Sequence, residues 1–245
     1  MQEALSGRTF VERGQQWVAY FKELCGLTPD EHVLDVGCGR GRIAVPLTQY
    51  LTTGCYEGFD IDRAKVSWCR ENISSRFPNF SFQSTEVFSA AYNREGSIPG
   101  DKYRFPYRDA RFDFVFIVTV LNTMEPAAVE NYLRESARVL KPGGRLLATF
   151  QLLNDEALRL LREKADQLHP SIAALNSGPD FGDYRFARAD TPEAGVALRE
   201  EFAFELMERA GLHGRRPPFY GAWPGRETSI VAGHDFIVAD RADRP

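Results

Sequence analysis

Apolar and polar positions follow two periods along this chain. Short apolar runs bounded by turn residues stand at 33–36, 55–60, 80–83, 112–121, 145–150, 216–220 and 235–239. Between them, apolar residues recur at helical spacing. Val11, Trp17, Val18, Tyr20, Phe21 and Leu24 give a leading helix over 11–24, closed by Gly26. Further helices are predicted at 42–50, 64–77, 127–140, 155–168 and 198–210, with Pro46 bending the first or confining it to one turn. Strand alternating with helix predicts an α/β, doubly wound, mostly parallel seven-stranded sheet. A hairpin through Trp223-Pro224-Gly225 turns the last strand antiparallel. Two stretches break the alternation, 88–111 and 151–197, both irregular and rich in aromatic, Gly or Pro residues. They read as insertions in a single domain over 1–245, because loops of that length inside a compact domain are usually functional. The first eight residues are polar and read as a loose end.

Composition narrows the partners. The 245 residues carry a net charge of −4 and no long basic block, so nucleic acid is not favoured. No stretch approaches the ~20 apolar residues of a membrane span, and no apolar signal core opens the chain. Cys25, Cys38, Cys55 and Cys69 form no C-x-x-C pair, which points to a reduced, cytoplasmic setting with no metal.

The chemistry begins at Val33-Leu34-Asp35-Val36-Gly37-Cys38-Gly39-Arg40-Gly41-Arg42. A buried strand breaks into a glycine turn and then into an apolar helical face, the opening of a nucleotide-binding βαβ unit. The dinucleotide fingerprint spaces its glycines G-x-G-x-x-G; here the third comes one residue early and Arg42 stands in its place. Asp60 ends the second strand about 20 residues on, where a ribose-binding carboxylate belongs.

This G-x-G-x-G, with Leu34-Asp35 before it, resembles motif I of the class I S-adenosylmethionine (SAM)-dependent methyltransferases. Leu140-Lys141-Pro142-Gly143-Gly144 is similar to the stop before their fifth strand, and the resemblance covers roughly residues 10–150. It implies a Rossmann-like fold and SAM as cofactor, with S-adenosylhomocysteine as product. The cofactor wall it implies comprises Asp35, Gly37, Cys38, Gly39, Gly41, Asp60, Ile61, Glu86, Val87 and Thr119. Ile61 would pack on the adenine and Glu86, an Asp in most similar proteins, would take its amino group. Phe10 and Arg13 are further contacts if the leading helix folds over the cofactor.

In a doubly wound sheet the ligand lies at the carboxyl ends of the parallel strands. That rule sets His32 and His213 at the opposite edge and leaves His169 and His234 as candidate proton acceptors. Tyr107, Thr123, Tyr220 and Trp223, with Arg226 nearby, are the candidate acceptor contacts. The chain lacks the (Asp/Asn)-Pro-Pro-aromatic turn of nucleic-acid amino methyltransferases, a Pro-Cys nucleophile and the acidic magnesium cluster of catechol-type enzymes. The expected reaction is methyl transfer to a hydroxyl or amine of a small molecule, by a monomer or homodimer. Two alternatives stay open: a nicotinamide-dependent oxidoreductase, and a noncatalytic SAM-binding partner protein.

Overall fold

The computed structural model describes residues 8–228, 230 and 233–242, with side chains from residue 10 onward. The expectation of a loose end over residues 1–8 falls outside the described residues except at Arg8, which opens α1 instead. In chain order the elements are α1 (Arg8–Cys25), β1 (His32–Val36), α2 (Ala44–Leu47), β2 (Cys55–Asp60), α3 (Arg63–Cys69), β3 (Phe80–Ser84) and β4 (Phe112–Ile117). Then come α4 (Pro126–Val139), β5 (Leu140–Phe150), β6 (Leu152–Leu153), α5 (Asp155–Glu163), α6 (Pro170–Ala173), β7 (Tyr184–Phe186), β8 (Val196–Arg199), α7 (Glu200–Arg209), β9 (Leu212–Gly214) and β10 (Asp235–Arg241).

Seven strands form one sheet in the order β3-β2-β1-β4-β5-β10-β9. β1 runs parallel to β2 and β4, β2 to β3, and β4 to β5. β10 is antiparallel to both β5 and β9. Strand order reverses beside β1, so the crevice above β1 and β4 is where a ligand is expected.

The centre of the sheet is buried on both faces. Val115 and Ile117 of β4 pack in the core under α4 and α7, whereas Phe114 and Phe116 pack under α1. Phe112 joins the first group despite its even number, because the register with β5 slips between Phe112 and Phe114. Phe21 of α1 fixes that helix to the sheet, with its ring 5.0 Å from Phe114 and 4.6 Å from Phe116. The same alternation sends Asp35 to the α1 face, where it is buried beside Tyr56 of β2.

Several boundaries differ from expectation. α2 is a single turn, Ala44–Leu47, and Pro46 has no N–H to give the carbonyl of residue 42, so the turn gains no helical bond on its N-terminal side there. The helix after β2 is α3, and it passes into a π-helical turn at Arg70–Ser74. The sixth strand is β9, not 216–220; the two prolines there cannot donate to a ladder, and only Phe219 bridges to Phe236. The 151–197 stretch builds its own three-stranded sheet, β6-β8-β7, and β8 takes residues expected to begin a helix. No described helix is long and apolar enough to cross a membrane.

Candidate functional site

A cleft of about 900 Å³ opens at the carboxyl ends of β1, β2 and β4. Its floor is the glycine turn. The N–H groups of Gly37 and Cys38 both donate to the Phe59 carbonyl, at 2.8 and 3.0 Å, which ties the turn to β2. Gly37 has φ +85°, and a Cβ there would lie 2.3 Å from Cγ2 of Val120. Gly39 has φ +53°, and a Cβ there would meet no protein atom within 4 Å. The first glycine therefore lets the turn pass under β4, and the second leaves open space on the cleft side. Gly41 does not line the cleft; its missing Cβ makes room for Ile73.

Two carboxylates flank the turn. Asp60 accepts from the Gly39 N–H at 2.7 Å and from the Asp62 N–H at 2.8 Å, one through each oxygen. Each oxygen keeps a second lone pair, so the group can still receive two vicinal hydroxyls. Asp35 is 3% exposed and accepts from the Tyr56 hydroxyl at 2.6 Å. Burial pushes its pKa up to about 7; the Tyr56 hydrogen bond opposes this, Asp60 adds to it and Arg42 opposes it. Cys38, Ile61 and Val87 also line the cleft, the last two offering apolar surface to a flat ring. Thr119 lines it with φ +66°, a left-handed conformation that a β-branched residue adopts only when held; its N–H donates to Oγ1 of Thr149 at 2.8 Å. Thr123 and Phe10 belong to the same wall.

Other candidates lie elsewhere. Glu86 is forked to Arg63 by two 2.8 Å hydrogen bonds at the exposed surface and does not line the cleft. Tyr107 is packed edge-on to Phe112, 5.0 Å between centroids, in a separate groove behind β2 and β3. Tyr220 donates to Glu200, and Trp223 donates to Asp235 at 2.5 Å. Asp235 has no exposed surface and also accepts from the N–H groups of Leu152 and Gly221 and from Arg226. These aromatics belong to a buried polar knot under the inserted sheet. His169 caps α6 through Ser171 and faces solvent. His234 lies beside Arg42, and burial followed by that guanidinium holds it below the usual histidine range. Neither histidine lines the cleft.

Sequence reasoning missed Arg42, whose side chain lines the cleft with no hydrogen bond or ion pair among the described residues. Burial, then the nearby charge of Arg13, lowers its pKa, while Asp35 raises it. The signal is local, since Arg42 stands where the dinucleotide fingerprint keeps its third glycine. Ser89 and Glu193, also on the wall, carried no motif. Among the described residues no group of three or more His, Cys, Asp or Glu is placed to hold a metal ion.

The sheet order, the reversed last strand, the glycine turn and the acid after β2 together are those of the Rossmann-like methyltransferase fold. Residues 34–148 match a family model described as a methyltransferase domain. The chain is 30% identical over 135 residues to the sterol 24-C-methyltransferase erg6 of Schizosaccharomyces pombe, covering 55% of this chain and 30% of that one. It is 33% identical over 125 residues to the demethylmenaquinone methyltransferase of Tropheryma whipplei strain Twist, covering 51% of this chain and 44% of that one. The matches thus span less than half the length of these two relatives. Among solved structures, the PH0226 protein of Pyrococcus horikoshii OT3 shares the fold with a TM-score of 0.62 at 16% identity, over 98% of this chain and 93% of that one.

Proposed function

We propose that this chain is a SAM-dependent methyltransferase that moves a methyl group to a hydroxyl or amine of a small molecule in the cytoplasm, as a monomer or homodimer. The observation that carries the reading is the glycine turn over the cleft, open at Gly39 and flanked by the Asp35 and Asp60 carboxylates. The residues fit the cofactor. Asp60 takes the ribose hydroxyls, Ile61 and Val87 the adenine faces, and Asp35 the α-ammonium. Gly37, Cys38 and Gly39 shape the floor, Gly41 lets the turn pack on Ile73 behind it, Thr119 holds the wall beyond β4, and Glu86 reaches the adenine amino group only by leaving Arg63. We read 1–245 as one domain in which 88–111 and 151–197 are substrate-side insertions; Phe88, Tyr92 and Pro192 on the cleft wall support that.

The cofactor, when bound, supplies an activated methyl on a sulfonium. What remains for the chain is alignment, worth on the order of 7–11 kcal/mol in well-ordered cases. An amine attacks neutral and sheds its proton afterwards. A hydroxyl needs a base, and the lining carboxylates away from the turn are Asp101, Glu125, Asp190 and Glu193, of which Asp190 is bonded to Arg188 and Glu193 to the turn at 89–91. Thr123 is the acceptor contact this reading keeps in the cleft. His169 and His234 serve as bases only if the loops carrying them turn inward. A second reading, carbon as the acceptor atom, draws on the similarity to a sterol 24-C-methyltransferase.

The test is calorimetric titration of SAM into the protein and into Asp60→Ala. Binding by the protein and its loss in the variant are expected; equal affinity would refute the assignment of Asp60.

A further inference from the structure

Residues 188–194 form a loop that reaches from the inserted sheet across to the cleft wall. Its base is pinned, because the Ala187 N–H donates to the Gly195 carbonyl at 2.8 Å. Within the loop, Arg188 pairs with Asp190, and the N–H groups of Ala194 and Gly195 bond back to Thr191 and Pro192. Among the described residues, every hydrogen bond from 188–194 to a residue beyond that base passes through one side chain, Glu193. Its carboxylate accepts from Oγ of Ser89 at 2.7 Å, from the Ala90 N–H at 2.9 Å and from the Ala91 N–H at 2.7 Å.

The receiving end is preformed. Ser89 and Asn93 exchange both backbone hydrogen bonds, and the Tyr92 N–H donates to Oγ of Ser89. That tight turn holds two successive N–H groups and a hydroxyl as a small anion cradle. Asp190, Thr191, Pro192 and Glu193 line the cleft on one side of the contact; Ser89, Ala90 and Tyr92 line it on the other. Phe88 and Tyr92, two of the few large apolar side chains left exposed, flank the cradle.

We infer that Glu193 is the clasp of this cleft: a positioning residue whose carboxylate, seated in the cradle at 89–91, closes the inserted sheet over the bound cofactor and fixes the acceptor wall. The inference rests on the reading of the cleft as a SAM site. The loop also packs against the turn at Leu121–Thr123, but its three charge-assisted hydrogen bonds across the cleft all pass through the Glu193 carboxylate. Opening at the tip frees the cleft mouth while the base at Ala187 and Gly195 stays bonded.

The experiment uses the full chain and three variants, Glu193→Ala, Glu193→Gln and Ser89→Ala. Trypsin cleavage after Arg188, followed by mass spectrometry, reports loop opening without any ligand. Stopped-flow release of S-adenosylhomocysteine reports the clasp in the bound state. Glu193→Ala should speed both by about tenfold, with Glu193→Gln intermediate and Ser89→Ala smallest, and with the global unfolding midpoint nearly unchanged. Cleavage and release rates equal to those of the parent protein in a folded Glu193→Ala would overturn the clasp. Absence of S-adenosylhomocysteine binding by the parent protein would instead overturn the cofactor reading, while the cleavage series would still judge the clasp.

Discussion

The two walls of the cleft are built differently. The wall from β1 and β2 is set by backbone: positive-φ glycines, N–H groups bonded to Phe59, and a carboxylate that itself caps two N–H groups. The opposite wall, from 88–93 and 190–193, is two loops joined by side-chain hydrogen bonds. A backbone-built wall has one arrangement, suited to a ligand that every turnover shares. A wall of loops can differ between relatives and open between turnovers, suited to choosing an acceptor. A third region, the knot around Asp235, belongs to neither wall; it ties the inserted sheet and the 217–228 excursion to β10.

Four perturbations sharpen this contrast. Asp235→Ala should be the most destructive to the fold, about 3–5 kcal/mol in chemical denaturation, because it strands four buried donors including Arg226. Cofactor affinity of the folded fraction should hold.

Gly37→Ala comes next. It combines a forced positive φ with a methyl placed against Val120, and together these should cost about 3 kcal/mol. Gly39→Ala meets no protein atom and should cost only about 1 kcal/mol, yet it should lose cofactor binding. Equal destabilisation by the two substitutions would break the claim that one glycine serves the fold and the other the ligand.

A pH series follows. Asp35 has a folded pKa of about 7 against an ordinary 3.8. The native state therefore holds its proton more tightly, and the stability this group contributes is present at low pH and lost as pH rises from 3.8 toward 7. Binding of an ammonium needs the anion, so affinity should rise about tenfold per pH unit up to about 7 and then level. Tyr56→Phe removes a hydrogen bond that favours the anion and should move the break point upward. Asp35→Asn should abolish it. A flat profile in the parent protein would contradict the role given to Asp35.

The smallest effect is expected for Arg63→Ala, which frees Glu86. Stability should change by less than about 1 kcal/mol, since the pair is exposed. Cofactor affinity should rise slightly if Glu86 then reaches the adenine. A weaker affinity would show that Glu86 does better held by Arg63.

The backbone-built wall was readable from residues alone because its signals are local. A glycine spacing, an apolar run ending in Asp60 and the stop at 140–144 each announce themselves within ten residues. The other wall was not. Tyr107, Tyr220 and Trp223 were aromatic residues in irregular chain, and nothing local tells a cleft contact from a ring buried against Phe112 or bonded to Asp235. β6 and β9 span two and three residues, too short for a period, and β8 merges with the apolar face of α7. Glu193 is invisible without its partners, which lie more than 100 residues away.

The central claim is that the glycine turn cradles an adenosyl donor, and a crystal grown with S-adenosylhomocysteine tests it most directly. The account predicts the adenosyl group beside Gly37 and Gly39, with both ribose hydroxyls in hydrogen-bond reach of Asp60. The turn empty of ligand, or S-adenosylhomocysteine bound away from Asp60 and Asp35, would contradict it.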